Sequence, residues 1–351
     1  MAVLTINLKK LEHNARLICD QARAVGVSVY GVTKGLCGLP AAALAFKQAG
    51  VAAIADSRLE NIAAMRAAGV AGPFVLLRLP SLSRVEEAVK LADVSLNSEL
   101  RTLQALDNAA AVLGIRHKVI LMVDVGDLRE GVWPEDFPPL LTECLRLRHI
   151  EVVGLGTNLA CYGGVIPDEN NMALLRRLAE DAEQRLARKL VVSGGNSSSL
   201  ASLFSGKFPA GINNLRIGEG IVLGREAINR QPIPGAYLDA CTLTAEVIEL
   251  KTKPSVPVGT TGQDAFGGVP VFVDRGLRQR AILSLGRQDT VPEGLAPVLD
   301  GAEVVGASSD HLILDVTAVP GMQIGDLVTF IPGYGALLAA ATSPYVRKVV
   351  C

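Results

Sequence analysis

Val27-Ser28-Val29-Tyr30-Gly31-Val32-Thr33-Lys34-Gly35 is a short, mostly apolar run that ends on a lysine and a glycine. Continuous apolarity over so few residues is the pattern of a strand buried on both faces of a parallel sheet. α/β folds gather their ligands at the carboxyl ends of such strands, where Lys34 stands. Burial disfavours an ammonium, and a neutral amine condenses with a carbonyl to a Schiff base. The plainer alternative is a lysine whose stem lies on apolar surface with its head in water.

Seven more runs of this type follow, at 51–56, 73–78, 93–97, 118–125, 151–158, 190–193 and 214–218. Amphipathic, Ala- and Leu-rich stretches lie between them, at 39–49, 58–68, 82–91, 98–113, 138–148 and 170–188. Ser57 and Ser98 read as helix N-caps, and Glu60 completes a capping box for the first. Eight strand–helix alternations predict an α/β fold, a (β/α)8 barrel over residues 10–225. After Arg225 the texture changes. Gln231-Pro232-Ile233-Pro234-Gly235 reads as a linker, and the later runs at 242–251, 269–273, 279–284, 302–305, 312–316 and 327–331 are broken by Gly and Pro. They predict a carboxyl-terminal β-domain over 226–351, with an amino-terminal strand in 1–9 pairing against it.

Composition narrows the function classes. A formal charge of −1 over 351 residues gives no electrostatic footprint for nucleic acid or an anionic membrane. Neither a signal-peptide pattern nor an apolar stretch of spanning length is read from the sequence. Six cysteines without a CxxC pair argue against a zinc ribbon or a disulfide framework, and favour a reducing, cytoplasmic setting. No metal site is read.

The seventh run ends in Ser193-Gly194-Gly195-Asn196-Ser197-Ser198-Ser199, and the eighth in Arg216-Ile217-Gly218-Glu219-Gly220. Gly/Ser loops at strand ends offer N–H groups and hydroxyls to an anion, and barrels place phosphate sites after strands seven and eight. Either loop alone is equally a flexible surface loop. A Schiff-base lysine combined with a phosphate cradle implies pyridoxal 5′-phosphate.

The chain resembles fold-type III pyridoxal-phosphate enzymes of the alanine racemase type, and within them the branch that includes ornithine racemase. The segments that carry the likeness are VYGVTKGLCG around Lys34, VDVGDLREGV around Arg129, GLGTNLACYGG at 154–164, SGGNSSS at 193–199, NNLRIGEGI at 213–221 and LGRQD at 285–289. The resemblance implies that Lys34 anchors the cofactor and moves a substrate proton. It implies that Arg129 lies near the cofactor's phenolic oxygen and Arg216 donates to its pyridine nitrogen. Ser197, Ser198 and the amides of Ile217 and Gly218 are implied to hold the phosphate, with Tyr334 reaching it. Ser309 matches a position whose backbone meets the substrate carboxylate. A homodimer with shared active sites and an amino-acid substrate follow from the same likeness. An arginine at the pyridine nitrogen only donates, so it leaves that nitrogen unprotonated and the cofactor a weaker electron sink.

Two positions depart from the alanine racemases. Arg287 stands where they carry a tyrosine that serves as second proton carrier, and Asn158 where they place a histidine against the pyridine ring. Racemisation needs a carrier on each face of the α-carbon. Cys37 is the first candidate for the missing one, with Cys161, Tyr162 and Tyr345 as others. Asp289 and Asp310 are carboxylates suited to a distal ammonium such as that of ornithine or lysine. The alternatives are an enzyme resembling D-threonine aldolase or D-serine dehydratase, and a non-catalytic cofactor carrier. The first needs a His-x-Cys pair, and no cysteine stands two residues after His311.

Overall fold

The computed structural model describes all 351 residues. It divides into two compact units, one formed by Leu8–Leu238 and the other by Met1–Asn7 with Asp239–Cys351.

The second unit begins with strand β1, Val3–Ile6. The first unit is a closed parallel barrel of β2 (Ser28–Val32), β3 (Ala53–Asp56), β4 (Phe74–Leu76), β5 (Val94–Asn97), β6 (His117–Met122), β7 (Ile150–Gly156), β8 (Val191–Ser193) and β9 (Asn214–Ile217). All eight expected apolar runs became barrel strands, and β9 closes on β2 with Tyr30 opposite Arg216. Alternation along each strand sorts the side chains. Val32, Ala53, Ala55, Val75, Val94, Leu96, Ile120 and Met122 fill the core, with Tyr30 packed against them. The helix Leu8–Ala24 precedes the barrel. Asn14, fully buried on it, donates to the carbonyls of Ile221 and Tyr237 and accepts from the Tyr237 amide.

Ser95 and Asn97 alternate with the core residues Val94 and Leu96, so they occupy the other face of β5. There Ser95 Oγ meets His117 Nε2 at 2.8 Å, and Asn97 Nδ2 donates to Ser95 Oγ at 2.9 Å. Burial pulls the His117 imidazole down to about 4. A buried neutral histidine has a signed consequence. The unfolded chain takes up the proton first, so this residue's contribution is whole above about pH 6.5 and is lost as pH falls towards 4, amounting to about 3 kcal/mol. Urea unfolding at pH 7 and pH 4.5 should show the protein losing more stability than a His117→Gln variant. Equal losses would refute the assignment.

In the second unit the strands β10 (Cys241–Pro254), β11 (Leu277–Leu283), β12 (Leu295–Pro297), β13 (Glu303–Ala307), β14 (Leu312–Asp315) and β15 (Leu327–Pro332) form a sheet in the order β12-β15-β10-β11-β14-β13. β1 pairs antiparallel with β10 and parallel with β16 (Arg347–Val350). The helix Tyr334–Thr342 follows β15, an element the Gly- and Pro-rich texture did not predict. The apolar stretch 269–273 is not a strand. It lies beyond Pro254 and Leu277, the last paired residues of the β10–β11 hairpin, where no neighbouring strand supplies a ladder. The expected serine caps also differ: Arg58 and Glu99 occupy the N-cap positions, without side-chain capping bonds.

Candidate active site

Lys34 opens a one-turn 3-10 helix, Lys34–Leu36, directly after β2. The turn is fixed from both sides. Buried Thr33 donates its hydroxyl to Asp56 Oδ2 at 2.7 Å, and Asp56 also accepts from the Arg58 amide and Asn61 Nδ2, each at 2.9 Å. Cys37 closes the turn in the left-handed region (φ 52°), its N–H reaching the Lys34 carbonyl at 3.2 Å. Burial lowers the Lys34 pKa. Cys161 opposes that most strongly, Arg129 adds to it, and Asp56 and Glu130 oppose it more weakly. These neighbours come from the ends of β7, β6 and β3, so several strand ends converge on one amine.

Arg216, on β9, is buried. Its Nη1 donates to Ser193 Oγ at 2.5 Å, and its Nη2 to the Thr157 carbonyl at 2.6 Å and, more weakly, to Asn158 Oδ1 at 3.5 Å. Desolvation pulls its pKa down to about 10, with Glu130 opposing, so the guanidinium remains charged at neutral pH. Asn158 turns its Nδ2 towards Cys161 Sγ at 3.1 Å. Asn196 donates to Asn158 Oδ1 at 2.9 Å and to Cys161 Sγ at 3.3 Å, while its own Oδ1 accepts the Ser198 amide at 2.7 Å.

The Ser/Gly loop runs into a 3-10 turn at Ser197–Ser199. Ser197 Oγ accepts the Gly220 amide at 3.0 Å. Ser198 Oγ is buried and has no hydrogen-bond partner. Buried hydroxyls are rarely left so, and one on a strand-end Gly/Ser loop fits an anionic oxygen. A Cβ at Gly218 would stand 3.0 Å from the Val32 Cβ and 3.1 Å from its carbonyl oxygen, a tight approach to β2 that glycine eases.

Arg129 is half-exposed on the loop after β6 and is gripped through Nε and Nη2 by both carboxylate oxygens of its neighbour Glu130. Asp127, fully buried in the same loop, clasps the loop after β7. Its carboxylate accepts the amides of Cys161 at 3.2 Å, Tyr162 at 2.9 Å and Val165 at 3.1 Å, and its carbonyl accepts that of Gly163 at 3.1 Å. Burial pushes the Asp127 carboxyl up, but these N–H groups outweigh it and hold the pKa below its usual value.

Lys34, Arg129, Asn158, Ser197, Ser198, Arg216, Ile217 and Gly218 therefore all lie at the carboxyl ends of barrel strands. Tyr334, Arg287, Asp289, Ser309 and Asp310 belong to the other unit. There the 285–289 and 308–311 loops lie back to back. The amides of Arg287 and Gln288 donate to the carbonyls of Ser308 and Ser309, and a Cβ at Gly286 would fall 2.3 Å from the Ser309 oxygen. Arg287 pairs with Glu293 and stacks over Phe266. Asp289 accepts from Ser343 Oγ at 3.0 Å, and Asp310, exposed, meets His311 Nδ1 at 2.9 Å. Tyr334 begins its helix, half-buried. Asp127, Glu130, Asn196 and Ser193 were not singled out from sequence. All four nevertheless lie within quoted segments, Asp127 and Glu130 in VDVGDLREGV and Ser193 and Asn196 in SGGNSSS.

A closed parallel barrel with a lysine after its first strand, Gly/Ser loops after its seventh and eighth, and a separate antiparallel unit define a class of cofactor-dependent enzyme. The chain belongs to the family described as alanine racemase, N-terminal domain, whose model matches residues 6–226. It is 44% identical to a lysine racemase of Thermotoga maritima over 347 residues, covering 99% of this chain and 97% of that protein. It is 43% identical to an ornithine racemase of Acetoanaerobium sticklandii over 348 residues, covering 98% of each. Among solved structures, the alanine racemase of Streptomyces coelicolor A3(2) matches at a TM-score of 0.76 and 20% identity, over 99% of this chain and 97% of that one. The alanine racemase of Bartonella henselae with covalently bound pyridoxal phosphate matches at 0.73 and 18%, over 100% and 99%. The D-threonine aldolase of Filomicrobium marinum matches at 0.75 and 17%, over 100% and 91%. At these identities the structural likenesses speak to the fold. Membership of the family implies pyridoxal phosphate, and the orphaned Ser198 hydroxyl fits its phosphate. No helix is long and apolar enough to cross a membrane.

Proposed function

We propose that this protein is a pyridoxal-phosphate-dependent racemase of a basic amino acid, ornithine or lysine. The observation that carries the reading is a burial-depressed lysine at the same strand ends as an unpaired, buried seryl hydroxyl. The two full-length relatives named lysine racemase and ornithine racemase support the substrate class.

Ser197, Ser198 and the backbone at Ile217 and Gly218 would hold the phosphate, Arg216 the pyridine nitrogen, and Arg129 the phenolic oxygen. Asn158 would lie under the ring, and Tyr334 would reach the phosphate. Bound there, the cofactor draws electron density from the substrate's α-carbon and acidifies its C–H bond. Lys34 takes or returns the α-proton from one face, a task its lowered pKa suits, because a base works best near the operating pH. Arg216 donates a hydrogen bond without giving up its proton, and that restrains side reactions. A homodimer and a cytoplasmic setting belong to the proposal, as do substrate contacts by Arg287, Asp289, Ser309 and Asp310. The likeness of the LGRQD and Ser309-Asp310 segments to the family supports those contacts.

The test is incubation of the purified protein with L-ornithine, L-lysine, L-alanine and L-serine in deuterated water. Ornithine or lysine should gain α-deuterium and yield the opposite enantiomer. Absence of both with every substrate would sink the reading.

A further inference from the structure

Racemisation needs a second carrier, and a base on Lys34's own turn cannot easily serve the opposite face of the substrate. Cys37 shares that turn. We propose that Cys161 is the second proton carrier, working across the substrate's α-carbon from Lys34; this rests on the racemase reading above.

Cys161 comes from the end of a different strand, β7, and its thiol is exposed at the same end of the barrel as Lys34. It terminates a relay. Asn158 Oδ1 receives N–H donors from Arg216 and Asn196, which fixes the amide so that its nitrogen faces Cys161 Sγ at 3.1 Å. Asn196 Nδ2, whose two N–H groups are directed at Asn158 Oδ1 and the Leu159 carbonyl, lies 3.3 Å from the same sulfur. The Asn158 N–H aimed at the sulfur meets it as an acceptor, the role it needs when it receives a proton. Asp127 holds the Cys161 and Tyr162 amides, so the thiol is carried on a fastened backbone. Cys161 is also the side chain whose electrostatic influence most opposes the lowering of the Lys34 pKa.

An independent observation points to a ligand at this place. Thr157 Oγ1, on the residue before Asn158, is buried without a partner. The Thr157 carbonyl accepts from Arg216, so this residue adjoins the relay. The proton balance closes. From one enantiomer the Lys34 amine takes the α-proton while the Cys161 thiol protonates the opposite face, leaving ammonium and thiolate. The other enantiomer reverses both transfers, and nothing is oxidised or reduced.

The test compares the parent with Cys161→Ala and Cys161→Ser, using each enantiomer of the substrate in deuterated water. Racemisation should fall about 10²- to 10⁴-fold, the usual worth of a positioned acid or base. One enantiomer should still exchange its α-proton for deuterium without inverting, because Lys34 alone serves that face. A second readout needs no turnover. In the full-length protein without cofactor, peptide-resolved iodoacetamide labelling at pH 7 should modify Cys161 faster than Cys351, the other exposed cysteine, and Asn158→Ala should slow it. Racemisation by Cys161→Ala within about threefold of the parent would overturn the proposal, as would labelling no faster than at Cys351. A parent that racemises nothing overturns the racemase reading itself, a different result from an active parent indifferent to Cys161.

Discussion

Lys34→Ala should lose racemisation by about 10³-fold or more, and the purified variant should no longer show a yellow colour that borohydride bleaches. Both follow from one amine. Among the residues brought together at the barrel's strand ends, Lys34 is the only one that can condense with an aldehyde. Burial keeps more of it neutral than an exposed lysine would be. The side chain stands at the open end of the barrel and not in its core. Thermal unfolding of the variant should therefore stay close to the parent, within about 0.5 kcal/mol. Added methylamine should restore part of the activity by supplying the missing base from solution. A variant that still racemises at a tenth of the parental rate or better would remove Lys34 from the chemistry.

Asp127→Ala should be the most damaging change away from the reacting atoms. The carboxylate is fully buried and satisfies three backbone amides of the following loop. Alanine leaves those donors unpaired at about 1–3 kcal/mol each, less whatever water recovers, so a net loss of about 3–5 kcal/mol is expected. The sign with pH follows from the lowered pKa. The contribution is complete above the unfolded value of about 4 and is lost in more acid solution. Activity should fall with it, because the clasped loop carries Asn158 and Cys161. Asp127→Asn keeps one carbonyl oxygen and should lose less of both. Urea unfolding of the two variants separates the outcomes; equal stability of Asp127→Ala and the parent would refute the clasp.

The barrel was legible because its strands are short runs rich in apolar residues that alternate regularly with amphipathic stretches, and 27–33 needed no partner to be recognised. The same local reading failed at 269–273, which has strand composition but no neighbour to pair with. It also missed the short strands Leu295–Pro297 and Arg347–Val350, which exist only because others lie beside them. At the site, Lys34 and the Ser/Gly loop announced themselves by residue type at a strand end. Asp127 did not. It reads as an ordinary loop aspartate, and its role is written in bonds to amides more than thirty residues away. The choice between Cys37 and Cys161 was closed to sequence for the same reason: both are cysteines beside recognisable motifs, and the proposal for Cys161 draws on Asp127, 34 residues away along the chain.

The pairing of β1 with β10 and β16 sets an order of assembly. During synthesis β1 is made well before both of its neighbours, for the antiparallel one begins at Cys241 and the parallel one ends at Val350. The whole barrel is made in the interval. Val3–Ile6 must wait as an unpaired edge until Cys241–Thr244 are made, an exposure to wrong partners that its brevity limits.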